Sequence, residues 1–172
     1  MKRPNLYLPM AALMLNAGAA TVYAQPPVNI TFSGDGGPSA INLNLPNTRN
    51  GEENLAGNGT FGPFTFRLVR ATATSPQPSS TCSDVFFPTI AGAGLFRFQD
   101  GSLLKAKVIG GGDCVDMVQG VGHCTLTFQI EGGTGRFEGA LGGILTLTET
   151  GGFTGWIAGV VGKDEGPQGV QR

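Results

Sequence analysis

Charged residues are scarce in this chain, and the basic ones form no cluster. Asp, Glu, Lys and Arg together make up 13% of the 172 residues, and the formal net charge is −1. Nucleic-acid binding requires Lys and Arg concentrated where they can neutralise phosphates, so nucleic acid is not expected as a partner. Binding to anionic membrane surfaces is disfavoured for the same reason.

The chain also lacks the motifs of phosphate, metal and nucleophilic sites. The glycine runs 110–112 and 132–135 each join predicted β segments and no helix follows them, so they are not phosphate loops. Cys114, His123 and Cys124 lack C-x-x-C spacing and a fourth ligand, which argues against a zinc site. We therefore expect no cofactor and no metal, and whether the protein is an enzyme stays open.

Helical periodicity is absent after the first two dozen residues. The chain is rich in Gly, with 29 residues, and Pro, with 11, and its apolar residues alternate with polar ones at a period of two. This pattern predicts an all-β protein with loops at 46–58 and 75–83. The predicted strands are 28–32, 40–45, 59–72, 94–99, 103–110, 124–130, 136–148 and 153–161, with weaker candidates at 85–90 and 115–118.

Each predicted strand has one apolar and one polar face. About eight such strands can bury their apolar faces in a single closed antiparallel β-barrel or in a β-sandwich. The barrel is favoured because closure removes exposed strand edges, and because glycines inside long strands permit sharp coiling. The aromatic residues predicted to form its ligand-binding inner face are Phe64, Phe66, Phe96, Phe98, Phe128 and Phe137.

The first residues are typical of a signal peptide. A basic start at residues 2–3 and an apolar run over 6–20 precede a small residue, Ala24, at the expected cut. A membrane anchor is the alternative, but Pro9 and Asn16 interrupt the run, which is shorter than the roughly 20 residues needed to span a bilayer. We expect a secreted or periplasmic protein with no membrane span after cleavage. The predicted organisation is a signal peptide over 1–24, a barrel domain over 25–162 and a disordered tail over 163–172.

Three cysteines lie in the predicted exported chain, whose compartment permits disulfides. Cys82, Cys114 and Cys124 allow three pairings, each with one thiol left over. The residues between Cys114 and Cys124 include Gly120 and Gly122 and can form a hairpin that brings the two Cα atoms within bridging distance. The pattern favours a Cys114–Cys124 disulfide and leaves Cys82 unpaired.

The segment 130–140, I-E-G-G-T-G-R-F-E-G-A, predicts a hairpin connection because an alternating strand runs into each side of it. The glycines assigned to the structural turn are Gly132, Gly133 and Gly135. With the loop at 132–135, Leu126 pairs with Leu141. The side chains then expected to point inward are Phe137, Leu141, Leu145 and Leu147.

A second hairpin is predicted around Asp100-Gly101-Ser102. A three-residue loop pairs Phe98 with Leu104 and Phe96 with Ala106, which keeps the apolar residues on one face. A two-residue loop would mix charges into both faces, so the longer loop is preferred.

The run G-G-T-G-R-F-E-G-A, followed by a Gly-rich strand, resembles the segment shared by dirigent proteins and allene oxide cyclase-like barrels, including their small secreted bacterial branch. The resemblance covers residues 125–148. It implies a calycin-like barrel of eight strands, a pocket at one end and a homo-oligomer formed through outer barrel faces. Val69, Ile109 and Ile144 lie outside in the predicted register and favour the same assembly. No catalytic residue is carried over from the plant proteins.

Charged residues interrupt the apolar strand signals near the cysteines. The weak candidates for catalysis in this region are Asp84, Asp113, Asp116 and His123. A carboxylate beside an imidazole can transfer a proton. The alternative is that these residues are turn formers and solvated side chains.

Three functions remain open on this sequence. The first, which we favour, is an exported barrel that binds a small apolar or aromatic ligand through its aromatic inner face. The second is a cyclase- or dirigent-like enzyme, of isomerase type, whose pocket imposes a conformation on a reactive intermediate. The third is a structural or interaction module of the cell envelope with a filled barrel. Whether the barrel contains an open cavity distinguishes them.

Overall fold

A computed structural model describes residues 27–163, and the predicted signal peptide and its cut lie outside this range. Eight antiparallel strands form a closed barrel in which each strand pairs with the next and β8 pairs with β1. The strands are β1 Val28–Pro38, β2 Thr48–Gly59, β3 Phe64–Ala73, β4 Val85–Phe98, β5 Leu103–Asp116, β6 Val121–Thr134, β7 Ile144–Glu149 and β8 Thr154–Gly159. The predicted all-β barrel is confirmed. Within residues 27–163, no helix is long and apolar enough to cross a membrane.

The barrel interior is built from the alternating apolar residues of the strands. Phe66 and Phe96 stack with ring centroids 4.1 Å apart, and the Phe128 ring meets Phe66 edge-on at 5.8 Å. All three rings are at most 1% exposed. Burial of each such side chain stabilises the fold by roughly 1.5–3 kcal/mol. Apolar packing at this level is the main stabilising term of the barrel.

The predicted register of the β6–β7 hairpin is wrong. Phe128 pairs with Leu145, because β6 continues through the glycines assigned to the turn and pairs Thr134 with Leu103 of β5. The chain reverses later, through a 3₁₀ turn over Gly135–Phe137 and an irregular segment up to residue 143. Leu141 consequently lies outside the barrel and is 48% exposed. The other residues expected to point inward are buried: Phe137, Leu145 and Leu147.

The β4–β5 hairpin keeps its predicted inner face but not its predicted pairing. Phe96 pairs with Leu104 instead of Ala106. The backbone amide of Phe98 bonds to the Ser102 carbonyl oxygen at 3.0 Å, so the three-residue loop lies at 99–101, one position earlier than predicted. A shift by two residues leaves inward and outward parity unchanged.

One strand was predicted as a loop. Strand β2 takes up most of the polar segment 46–58 and ends at Gly59, whereas the predicted strand 40–45 is an irregular connection. The polarity has a structural cause, because Glu52 of β2 pairs with Arg67 on the outer surface and Glu53 pairs with Arg70 inside. A strand with charged partners on both faces carries no apolar alternation.

The predicted Cys114–Cys124 disulfide is also wrong. Cys82 bonds to Cys114, with Cα atoms 5.6 Å apart, and Cys124 is a free, buried thiol. In the β5–β6 ladder Cys114 faces His123, while Cys124 faces Asp113. Because neighbouring residues in a strand point to opposite faces, Cys114 points away from the interior into which Cys124 points. The bridge therefore ties the 74–84 connection to the outer face of β5.

Candidate functional site

The two ends of the barrel carry different chemistry. The connections 39–47, 74–84, 117–120 and 150–153 gather at one end. We call this the charged end, defined by the inward side chains Glu53, Arg70, Asp113, Cys124 and Glu149. The opposite end, which we call the aromatic end, is defined by Phe61, Phe64, Phe98, Phe137 and Arg136.

The charged end arises where the inward positions of four strands, β2, β3, β5 and β7, change from apolar to polar. Arg70 follows Phe66 and Leu68 along the inner face of β3, and Glu149 follows Leu145 and Leu147 in β7. Period-two alternation alone places these polar side chains inside the barrel.

Asp113 reaches the interior because of a β-bulge. Val108 faces Phe128, but Gly110 faces Thr127, so Ile109 is an extra residue in β5. The bulge reverses the parity of the strand, and Asp113 then faces the inward residue Cys124. If Ile109 were paired regularly, with no bulge, Asp113 would face His123 and point to solvent.

Arg70 is the centre of the charged end. Its Nε bonds to Glu53 Oε1 at 2.8 Å, and its Nη1 bonds to Asp113 Oδ1 at 2.8 Å. The hydroxyl oxygens of Thr72 and Thr89 lie 3.2 and 3.4 Å from Nη1. Burial alone would lower the pKa of this guanidinium, but the two carboxylates raise it above its ordinary value. Arg70 is therefore a fixed positive charge.

Two carboxyl groups beside Arg70 are incompletely bonded. Glu53 is 2% exposed and Glu149 is 6% exposed. Neither Glu53 Oε2 nor Glu149 Oε1 has a hydrogen-bond partner within residues 27–163. Burial raises the pKa of Glu53, with partial opposition from Arg70. Burial, reinforced by the nearby Glu53 carboxylate, raises the pKa of Glu149 to about 7. Glu149 therefore changes protonation near neutral pH.

The free thiol of Cys124 forms part of the same wall. The side chain is 4% exposed, and burial raises the pKa of the thiol well above its ordinary value. Because the thiolate is the nucleophilic form, Cys124 is a weak nucleophile at neutral pH. Its contribution to the site is a small apolar surface.

Two cavities open at the charged end. The larger, of about 290 Å³, lies between β1, β2 and β3 and is bordered by Arg49, Glu53 and Arg70. The smaller, of about 180 Å³, is bordered by Cys124 and Glu149. Both share the side chains of Arg70, Asp113 and Phe153.

Phe153 borders both cavities. It has a positive φ of 55°, an uncommon backbone conformation for a residue other than Gly, and follows Gly151 and Gly152 in the β7–β8 turn. Its ring packs so closely over Gly36 that an added Cβ there would lie 2.4 Å from Phe153 Cε1. The turn thus holds an aromatic ring over the charged end.

The candidates for catalysis are not all brought together. Asp113 lies in the charged end, and His123 borders the smaller cavity although its side chain is exposed. Asp116 accepts hydrogen bonds from the Val118 and Gln119 amides at 2.8 and 3.0 Å, so it stabilises a turn. The remaining candidate, Asp84, is exposed and accepts a hydrogen bond from the neighbouring serine hydroxyl at 3.3 Å.

The aromatic residues predicted to bind a ligand fill the barrel instead of lining a space within it. Their exposed fractions are 4% for Phe64, 1% for Phe66, 1% for Phe96, 3% for Phe98, 0% for Phe128 and 4% for Phe137. At the aromatic end, the Arg136 guanidinium lies 4.7 Å from the Phe98 ring centroid and donates to the Phe61 carbonyl oxygen at 2.6 Å. The barrel interior is therefore closed by packing at this end, and a cavity of about 330 Å³ lies outside the packed rings, bordered by Phe61, Asp100 and Arg136.

Sequence reasoning missed Glu53, Arg70 and Glu149. The inward parity of β3 and β7 was a usable signal for Arg70 and Glu149, because each continues an apolar face. The sequence gives no such signal for Glu53, because this residue lies in the polar segment 46–58, whose composition predicts a loop. In the part of the chain from 27 to 163, no group of three or more His, Cys, Asp or Glu is placed to hold a metal ion.

No family model matches this chain, and neither a search of curated proteins nor one of solved structures gives a match.

Proposed function

We propose that this is an exported barrel protein that binds a small ligand at its charged end, with an apolar or aromatic body against Phe153 and a polar group among the buried charges. The observation that carries the proposal is the pair of cavities of about 290 and 180 Å³, each of which is bordered by one incompletely bonded, buried carboxyl group. Ligand sites are typically concave, largely apolar and equipped with a few fixed polar groups. Strands β2, β3 and β5 hold the polar groups in place.

The location at the charged end follows from how the rest of the barrel is filled. The stacked phenylalanines leave the central interior to protein side chains. The cavity size suits a ligand of few heavy atoms, near the lower limit of about 300 Å³ for small-molecule sites.

Export is supported by two independent features. The N-terminal sequence is typical of a signal peptide. The Cys82–Cys114 disulfide suits the periplasm or the extracellular space, where such bonds persist.

A second candidate function is that of an enzyme of the cyclase or dirigent type, as the sequence resemblance implies. The observation that favours it is Glu149, whose pKa of about 7 suits a general acid or base near neutral pH. If the protein is an enzyme, it should convert a bound ligand, and Glu149→Gln should lose this turnover while it retains binding. Passive binding predicts no turnover in either protein.

We also propose a homo-oligomer, as the resemblance implies. Its support is the apolar surface of the outer barrel, where Ile109 is 50% exposed and Ile144 is 38% exposed. Light scattering of the purified protein is expected to give a multiple of the monomer mass, and a single monomer mass at micromolar concentration would contradict this.

The binding proposal is tested by amide NMR spectra of the mature protein with a set of small aromatic compounds that carry an amine, a hydroxyl or a carboxylate. At least one compound is expected to shift the amides of Gly37, Gly51 and Gly152, which border the cavities. The same titration with Arg136→Gln, at the opposite end, is the control and should be unchanged. The proposal is wrong if no compound shifts these amides.

A further inference from the structure

We propose that the polar group received by the charged end is a protonated amine, held between the carboxyl groups of Glu53 and Glu149. This inference rests on the proposed binding function and specifies the chemical class of the ligand. Its basis is the set of hydrogen-bond acceptors that the protein itself leaves unused.

Glu53 and Glu149 both need a donor. Glu53 Oε2 and Glu149 Oε1 are buried without a partner among residues 27–163, and each residue is more than nine-tenths buried. Glu53 borders the larger cavity and Glu149 the smaller one. An ionised carboxylate only accepts hydrogen bonds, so the complementary ligand group is a donor. A buried acceptor without a donor costs free energy, which a bound donor recovers.

The two arginines that border the site are each already paired with a carboxylate. Arg70 donates to Glu53 Oε1 and to Asp113 Oδ1, both at 2.8 Å. The second oxygen of Asp113 lies 3.6 Å from the guanidinium of Arg49, whose side chain is 59% exposed. The positive charge of each arginine is therefore already balanced by a carboxylate, which disfavours an anionic ligand.

The balance of charge favours a cation over a neutral donor. Two carboxylates already surround the single buried guanidinium, and ionised Glu149 adds a third negative charge. The titratable or charged side chains that border the site beside Glu149 are Glu52, which pairs with Arg67 on the outer surface, Glu53, Arg70, Asp113, Cys124, His123 and Arg49. An ammonium group offers three donors and one positive charge. The Phe153 ring, which borders both cavities, adds a surface that attracts cations.

Binding of a cation to Glu149 has a consequence for protons. The pKa of Glu149 is about 7, because burial and the neighbouring Glu53 carboxylate disfavour its charge. Since the cation stabilises the ionised form, binding below this pKa must release a proton. Affinity is therefore expected to rise as pH increases through 7.

The experiment compares three probes of one shape: benzylamine, benzyl alcohol and benzoate. Calorimetric titration of the mature protein at pH 8 is expected to show benzylamine binding at least about tenfold more tightly than either other probe. For release of one proton from a group with a pKa of about 7, affinity for benzylamine falls about tenfold between pH 8 and pH 6. Titrations at pH 6 in two buffers of different ionisation enthalpy count the released proton.

The Glu149→Gln variant removes the charge and keeps the shape of the side chain. It is expected to abolish both the preference for benzylamine and its pH dependence. Glu138→Gln, at an exposed position outside the charged end, is the matched control and should change neither. Amide NMR spectra establish that each variant is folded, and the pH comparison on the parent protein tests the proposal without any variant.

The outcomes separate the two proposals. The amine proposal would be overturned if benzyl alcohol or benzoate bound as tightly as benzylamine and shifted the amides of Gly51 and Gly152. The proposal of ligand binding would then still hold. Benzylamine binding that is unchanged between pH 6 and pH 8, or unchanged in Glu149→Gln, overturns it as well. If no compound of the wider set shifts those amides, the binding function itself is wrong.

Discussion

The two ends of the barrel place a positive charge in opposite positions. At the aromatic end Arg136 lies outside the packed rings, 38% exposed, and covers them. At the charged end Arg70 lies inside, 12% exposed, among carboxyl groups. The outer cation covers apolar surface that already stabilises the fold, whereas the inner cation compensates groups whose burial is costly. One barrel thus has an end optimised for packing and an end that retains unused polar atoms.

The largest effect is expected from opening the aromatic core. Phe66→Ala should lower the free energy of unfolding by about 3–5 kcal/mol, because it removes a ring stacked at 4.1 Å on Phe96 and leaves a cavity. Urea denaturation measures the change. Trp156→Ala, at a 44% exposed position, is the control and should cost much less. Equal losses would mean that the outer surface is buried in an assembly.

A slightly smaller loss is expected from the inner cation. Arg70→Met should cost about 3 kcal/mol, at the low end for breaking a buried ion pair, because Asp113 keeps Arg49 nearby. Arg67→Met in the same strand is the matched control, since its pair with Glu52 is on the outer surface and 58% exposed on the arginine side. That control should cost far less, because solvent screens an ion pair on the outer surface. Similar losses in the two variants would show that the charged end is as solvated as the barrel exterior.

The stability of the charged end is expected to depend on pH through Glu149. Its pKa is about 7 in the folded protein, above the ordinary value of 4.5, so the folded protein binds the proton more tightly than the unfolded chain. The resulting stabilisation is complete below about pH 4.5 and is lost as pH rises through 7. At pH 8.5, Glu149→Gln should therefore be about 2–3 kcal/mol more stable than the parent, and the difference should vanish near pH 4.5. Thermal unfolding at both pH values checks this, and a variant less stable at pH 8.5 contradicts it.

The smallest effect is expected where the hairpin register was mispredicted. Leu141→Ala should change the free energy of unfolding by no more than about 0.5 kcal/mol, because Leu141 is 48% exposed. Leu145→Ala, at a 1% exposed position, should cost about 2–5 kcal/mol in the same denaturation experiment. A large loss of stability in Leu141→Ala would mean that Leu141 is buried and that the predicted hairpin loop at 132–135 is correct.

The barrel could be predicted from the sequence because alternation depends on burial, and most strands bury an apolar face. The strand registers could not be predicted, because a single extra residue such as Ile109 leaves no trace in the composition of the strand. The same bulge explains the wrong disulfide, since it decides which of Asp113 and Cys114 points inward. The charged end was missed at Glu53 because its partner, Arg70, lies in a neighbouring strand and the pairing depends on the three-dimensional fold.

The bulge at Ile109 also means that the lining of the site can change without any substitution in it. Regular pairing through Ile109, with no residue added or lost, would restore an uninterrupted period of two in β5, so that Gly112 and Cys114 would point inward and Asp113 outward. Asp113, the partner of Arg70, and Cys114, which anchors the 74–84 connection, would exchange faces in a single step. A one-residue change in the register of β5, rather than a series of point mutations, is thus the shortest route by which descendants of this barrel could acquire a different ligand.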